Sequence, residues 1–153
     1  EAGVFHVTGE KVHTLTQAES KVVNNKRRSI LKAVTPIPMI AGKSTVELDG
    51  VKAAWTVPGT RPEFYIRMAD EERFAIIRLI PGKATRVVQK WDIIPVTKEI
   101  VETTDTVETF KQQLAPALYK IWPTKPLTAG EYAVVQYTEG KGNIQVWDFS
   151  VAP

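Results

Sequence analysis

Along most of this chain hydrophobic and polar residues alternate in short runs with little trace of a helical period, and the runs end at glycine, proline, asparagine or aspartate. Residues 3–8 and 11–16 are two β-branched runs around Gly9-Glu10, and glycine at the first central position suits a type II′ hairpin. That turn sets the register: Phe5 faces Thr14, Val7 faces Val12 and His6 faces His13. The side carrying Phe5, Val7 and Val12 is expected to meet the core. His6, His13, Val4 and Leu15 are then turned outward, where Val4 and Leu15 form an apolar pair open to a partner.

Residues 17–29, with Asn24-Asn25-Lys26-Arg27-Arg28, read as a polar connection with one short strand around Val22, and residues 30–34 as a further strand. Pro36 and Pro38 restrict regular structure beyond it. Residues 45–48 and 52–57 flank Asp49-Gly50 as a hairpin, and residues 63–68 and 73–80 flank Ala69-Asp70-Glu71-Glu72 as another. Residues 58–62 form a loop by composition. Residues 84–91, 94–101, 117–122, 131–138 and 143–151 supply the remaining strands, the last two joined by Glu139-Gly140-Lys141-Gly142. In that final hairpin the register places Tyr132, Val134, Trp147 and Phe149 on one face and Ala133, Val135, Tyr137, Ile144 and Val146 on the other, and two apolar faces mark a covered position. Only residues 107–114 suit a helix, which Pro116 stops within about two turns.

Roughly ten short strands punctuated by ten prolines and nine glycines predict a single all-β domain over residues 1–153, an antiparallel β-sandwich of immunoglobulin-like or jelly-roll-like form. An open β-barrel is the alternative. No stretch is long enough for the crossover helices of a parallel sheet.

Composition removes whole classes of chemistry. With 153 residues, 43% of them hydrophobic, the chain can bury one sizeable core. Its 20 Lys and Arg against 17 Asp and Glu leave a net charge of +3, too small an excess to indicate a nucleic-acid partner. The absence of cysteine excludes disulfides, thiolate metal sites and thiol nucleophiles. No run approaches the roughly 18 apolar residues of a membrane-spanning helix. The sequence starts at Glu1, which is expected of a mature or trimmed form, with removal of a secretory signal as the simplest source.

Several motifs are candidates for chemistry. Ala41-Gly42-Lys43-Ser44-Thr45 looks like the end of a phosphate-binding loop, but Ile37 stands where that motif needs glycine and no helix follows, so a turn entering a strand is the better reading. His6 and His13, on one face of their hairpin, could together bind a divalent metal, yet a stable site normally takes three or four ligands, and an unliganded surface pair is preferred. There are only four serines, Ser20, Ser29, Ser44 and Ser150, and both histidines sit in the first 13 residues, so a hydrolytic triad is hard to build. Glu131 with Asp148 is a carboxylate pair of the kind glycoside hydrolysis uses, although any acid-rich chain offers such pairs. Arg61, Arg67, Arg73, Arg78 and Arg86 are candidates for an anion-binding face or, preferably, for cross-strand pairing with neighbouring acids. Trp55, Trp91, Trp122 and Trp147, with Tyr65, Tyr119, Tyr132 and Tyr137, could stack on sugars, and exposure of Trp55, Trp91 and Trp122 separates that role from a core role.

The run Leu127-Thr128-Ala129-Gly130-Glu131-Tyr132-Ala133, followed by Trp147-Asp148-Phe149, resembles a pattern Leu-x-x-Gly-Glu-Tyr-Ala then Trp-Asp-Phe found in uncharacterised secreted bacterial proteins. Pro62-Glu63-Phe64-Tyr65-Ile66-Arg67 and Gly3-Val4-Phe5 are similar to that group as well. The resemblance implies an exported, β-sandwich-like domain, extracellular or periplasmic, and brings no catalytic residue. Physically, Ala129-Gly130-Glu131 reads as a tight turn delivering Tyr132 to the core, and Asp148 as a carboxylate held by a backbone amide or an arginine.

These readings lead to a non-enzymatic exported domain that acts through protein contacts as an envelope, extracellular-assembly or accessory subunit, with a partner protein or a further copy of itself. No catalytic residue or cofactor is assigned. Val4, Leu15, Arg67, Arg78 and Arg86 are the candidate interaction residues. A carbohydrate-binding module taking polysaccharide on exposed aromatics, and a hydrolase with a carboxylate pair, are the alternatives.

Overall fold

The computed structural model describes residues 3–24, 27–31, 42–68, 73–138 and 143–153, and of residues 24 and 27–31 the backbone alone. The described strands are β1 (Gly3–Thr8), β2 (Lys11–Thr14), β3 (Ser20–Asn24), β4 (Arg27–Leu31), β5 (Gly42–Asp49), β6 (Phe64–Arg67), β7 (Arg73–Arg78) and β8 (Ile80–Pro81). They continue as β9 (Thr85–Ile93), β10 (Ile100–Thr103), β11 (Asp105–Thr106), β12 (Thr109–Ala115), β13 (Leu118–Pro123), β14 (Gly130–Thr138) and β15 (Asn143–Val151). None of the described residues is helical, and no helix is long and apolar enough to cross a membrane.

The all-β sandwich expected from the alternation is what forms, in three antiparallel sheets, none of which closes into a barrel. A five-stranded sheet runs β12-β13-β6-β1-β2, a six-stranded one β10-β9-β5-β3-β4 with β8 beside β9, and a four-stranded one β11-β7-β14-β15. The four-stranded sheet is the middle layer, because both of its faces are apolar. Tyr132, Val134, Trp147, Phe149 and Ile76 pack on one side against Val4, Phe64, Ile66 and Ile121 of the five-stranded sheet. On the other side Ala133, Val135, Ile144, Val146 and Ile77 pack against Val46, Leu48, Val88 and Trp91 of the six-stranded sheet. The β14–β15 hairpin has the register read from the sequence, with Tyr132 opposite Phe149 and Val134 opposite Trp147.

The first hairpin also has its expected register, His6 opposite His13 and Val7 opposite Val12, and Gly9 takes the positive φ of 59° that its turn requires. Its faces are the reverse of the expectation. Val4, His6 and Leu15 are buried at 0%, 5% and 4% exposure, whereas Val12 is 62% exposed. The reason is pairing on the far side: β1 lies between β2 and β6, and the β6 residues level with Val4 and His6 are Ile66 and Phe64, both core residues. Val4 and Leu15 therefore belong to the monomer's own core and cannot form the outward apolar pair.

Other local expectations yield to tertiary pairing. In residues 17–29 the short strand expected around Val22 forms as β3, but Arg27–Leu31, expected to be connection up to residue 29, pairs with it as β4, and Ser20 and Val22 are turned inward. The strand expected to continue to residue 34, and the Pro36 and Pro38 region, lie mostly outside the described residues, as does the 139–142 turn. Residues 52–57 do not pair with β5, whose two sides are occupied by β3 and β9. They run along β15 instead, where Thr56 bridges Ser150. The strands β6 and β7 are not a hairpin either, since β6 joins β13 and β1 while β7 joins β14 and β11 in a different sheet; residues 69–72 lie outside the described part. The expected 94–101 strand is a turn followed by β10. Most of the expected helix at 107–114 falls in β12, because six residues paired to β13 satisfy a ladder that a helix of about two turns cannot match in water.

Candidate functional site

The carboxylate pair proves to be a structural clamp. Gly130, at φ +155°, starts β14 so that Glu131 and Tyr132 leave in opposite directions. The Tyr132 hydroxyl donates to the Thr128 carbonyl at 2.7 Å, four residues upstream, the arrangement of a tyrosine corner in β-sandwiches. Arg78 donates to the Thr128 hydroxyl at 2.8 Å and lies 5.0 Å from the Tyr132 ring centroid. Buried Arg86 then joins three elements. Its Nη1 donates to Asp148 Oδ2 at 2.8 Å and to Glu131 Oε1 at 3.3 Å, its Nε to the Gly50 carbonyl at 2.9 Å, and its Nη2 to the Asp49 carbonyl at 3.1 Å. Glu131 also accepts from the Ala53 amide and the Ser150 hydroxyl, both at 2.6 Å. With every carboxylate oxygen of Glu131 engaged and an arginine between the two acids, neither is placed to act as a free acid or base. The Gly-Glu-Tyr-Ala and Trp-Asp-Phe runs are thus explained by folding: they supply the corner, the clamp and its buried flanks.

The histidines join a ring stack in place of an outward pair. His6 sits edge-on to Trp55 at 5.3 Å and to Phe64 at 5.6 Å, and His13 stacks on Trp55 at 4.2 Å with an interplanar angle of 13°. Burial lowers the His6 pKa, the neighbouring His13 charge lowers it further, and Glu63 acts in the opposite direction. Among the described residues no group of three His, Cys, Asp or Glu converges as metal ligands. Trp55 is half-buried against the core, and its carbonyl accepts from the Ser150 amide at 2.9 Å, so the stack fastens the 50–62 loop.

The arginines do not share a face. Arg86 is buried in the clamp, Arg78 brackets Tyr132, Arg61 donates to the Thr124 carbonyl, and Arg67 is exposed on the five-stranded sheet. Arg86 is therefore unavailable to a partner. Lys43, from the Gly-Lys-Ser-Thr run, lies in β5 and borders an open hollow of about 380 Å³ on the outside of the six-stranded sheet, with Thr45, Lys90, Asp92, Val101 and Thr103. Opposite charges and a strand in place of a phosphate-binding loop make this hollow a poor cradle for phosphate.

The outer face of the five-stranded sheet is different. Alternation along β12, β13, β6 and β1 turns one aromatic ring outward from each: Phe110, Trp122, Tyr65 and Phe5. Cross-strand pairing sets them in two adjoining rows. One row reads Gln112, Lys120, Tyr65, Phe5 and Thr14, and the other begins with Phe110 and Trp122 and ends with Val7 and Val12. Phe110 is 51% exposed, and its ring lies 5.7 Å from that of Trp122. Lys120 stands among them, 5.0 Å from the Trp122 centroid and 5.8 Å from that of Tyr65, and pairs with Glu63 at 3.0 Å. The hydrogen bond that the Lys120 ammonium donates to the Glu63 carboxylate is the main cause that raises the Lys120 pKa. Of the three tryptophans whose exposure separates the two roles, Trp91 is buried, and Trp55 and Trp122 are half-buried, Trp122 on this face. The face is not legible in the sequence of β12, because Val107, Phe110 and Leu114 stand at a helical spacing with three polar residues between the last two, and only pairing with β13 sets Phe110 outward as a strand residue.

No family model, no curated protein and no solved structure matches this chain.

Proposed function

We propose that this chain is a non-enzymatic, exported β-domain that acts through protein contacts, and that its contact surface is the outer face of the five-stranded sheet. The observation that carries the reading is the group of four rings, one per strand in two adjoining rows, continued by Val7, Val12 and Leu114 on a solvent-facing sheet. A surface patch rich in aromatic rings is a mark of an interaction site, and aromatic anchors dominate the energetics of such contacts. The clamped carboxylates and the stacked histidines support a non-catalytic role. The exported location, extracellular or periplasmic, rests on the resemblance of the Gly130–Ala133 and Trp147–Phe149 runs to secreted bacterial proteins.

A second reading, polysaccharide binding, is favoured by the polar groups Gln112, Glu63 and Lys120 set between the rings. Photo-reactive side chains at positions 110 and 65, with position 101 on the opposite outer face as control, distinguish the two in native extract. Protein adducts from 110 and 65 but not from 101 are expected. Absence of adducts, together with retardation in polysaccharide-containing gels that Trp122→Ala abolishes, would replace this reading with the second.

A further inference from the structure

The sheet edges of the described strands are unequally protected. The free side of β15 is covered, since Ala18 donates to the Val146 carbonyl, Val57 to the Ser150 carbonyl, and Ser150 to the Trp55 carbonyl. The edges β2, β4, β10 and β11 have only four, five, four and two residues. By contrast β12 has seven residues, six of them exposed, contains no proline, and adjoins the aromatic face. Uncovered edges of this length are sites of strand addition.

Which of its backbone groups are free follows from one hydrogen bond. The Thr124 amide donates to the Glu108 carbonyl at 3.1 Å, and the register sets Thr109 opposite Pro123. Even-numbered residues of β12 therefore point their amide and carbonyl groups at β13, and Thr109, Lys111 and Gln113 point theirs outward until the bulge after Gln113. An incoming antiparallel strand must pair with these three.

We propose that the occupant of this edge is β12 of a second copy of the chain, paired antiparallel about Gln112, so that two five-stranded sheets become one continuous sheet. The inference rests on the protein-contact reading above and names its partner. Centred on Gln112, the pairing sets Lys111 opposite Gln113 of the second copy, Gln112 opposite Gln112, and Phe110 opposite Leu114. Phe110 and Leu114, 51% and 43% exposed, cover one another on the outer face. Charge selects this register. Pairing centred on Lys111 offers more backbone hydrogen bonds, but it sets the one charged residue of the strand opposite its own copy, and directly opposed like charges are destabilising. In the monomer the Lys111 ammonium donates to the Phe74 carbonyl at 2.6 Å and lies 4.7 Å from the Phe74 ring, so it is turned beneath the sheet and leaves the outer row uncharged. A single pair of edge strands buries less than a standard interface, so the dimer is weak and concentration-dependent.

The test uses the absence of native cysteine. Opposed Gln112 residues form a non-hydrogen-bonded pair with Cα atoms about 4.5 Å apart, within disulfide reach. Gln112→Cys is expected to give a disulfide-linked dimer as the main product of mild oxidation, while Gln113→Cys, whose own copies lie out of register, stays at background. In the Gln112→Cys background, adding Gln113→Glu should speed cross-linking about threefold or more by facing Lys111 of the second copy, and Gln113→Lys should slow it by a similar factor. All these positions are exposed, and circular dichroism checks that the fold is retained. Equal cross-linking from positions 112 and 113, or the same effect from both charges at 113, overturns the proposal. If dimers fail to form while positions 110 and 65 still yield adducts with a different protein, the second-copy inference falls and the protein-contact reading stands.

Discussion

Replacing Arg86 with methionine should destabilise the domain more than any surface change, and its size follows from the clamp. The substitution keeps most of the buried stem but leaves the Gly50 and Asp49 carbonyls and two carboxylates without their shared donor. Removing one partner of a buried ion pair costs about 3 to 5 kcal/mol. The side chains of Glu131 and Asp148 retain 12% and 16% exposure, so some solvent screening remains and the lower end, about 3 kcal/mol, is expected. With a urea m-value of about 2 kcal/mol/M, the unfolding midpoint should fall by about 1.5 M. Asp148→Asn in the same background removes one of two acids left facing each other, and the double variant should be about 1 kcal/mol more stable than the sum of the single effects. Arg86→Lys should be intermediate, because one ammonium cannot span both carboxylates and both carbonyls. A midpoint shift below about 0.3 M for Arg86→Met, or strict additivity with Asp148→Asn, would refute the clamp as the joint between the 49–53 turn and the final hairpin.

Further outcomes follow from the same packing. Tyr132→Phe removes the hydroxyl that bonds the Thr128 carbonyl and should cost about 1 kcal/mol, read as a fall in Tm of about 2 to 4 °C. Trp147→Ala opens a cavity beside Val134 and Phe149 and should cost about 3 to 5 kcal/mol in denaturant unfolding; a variant of unchanged stability would contradict its 3% exposure. The buried His6 resists protonation in the folded state, so the unfolded chain binds the proton more readily. Stability from this group is complete above its unfolded pKa of about 6.5 and declines as pH falls from there toward the lower folded value. The Tm of the native protein should therefore drop between pH 7.5 and 5 by more than that of His6→Gln, and parallel curves for the two would exclude the effect.

Much of the architecture was legible because period-two alternation and turn residues act locally. The register of residues 3–16 and of the final hairpin could be counted from Gly9 and from the 139–142 turn, since a hairpin closes on its nearest neighbours and one slipped residue would invert every side chain. The apolar residues on both faces of β14 and β15 likewise announced a covered layer. Tertiary structure decided which strands meet across long separations. The inward side of β1 depended on β6, 60 residues away, and β6 and β7 parted into different sheets although they are neighbours in sequence. Residues 107–114 became a strand through β13, because a short segment has too little intrinsic preference to resist a ladder. The clamp and the aromatic face have the same origin. Asp148 could be read as needing a donor, but that the donor is Arg86, and that Phe110, Trp122, Tyr65 and Phe5 line one sheet, follows only from the pairing of strands distant in the chain.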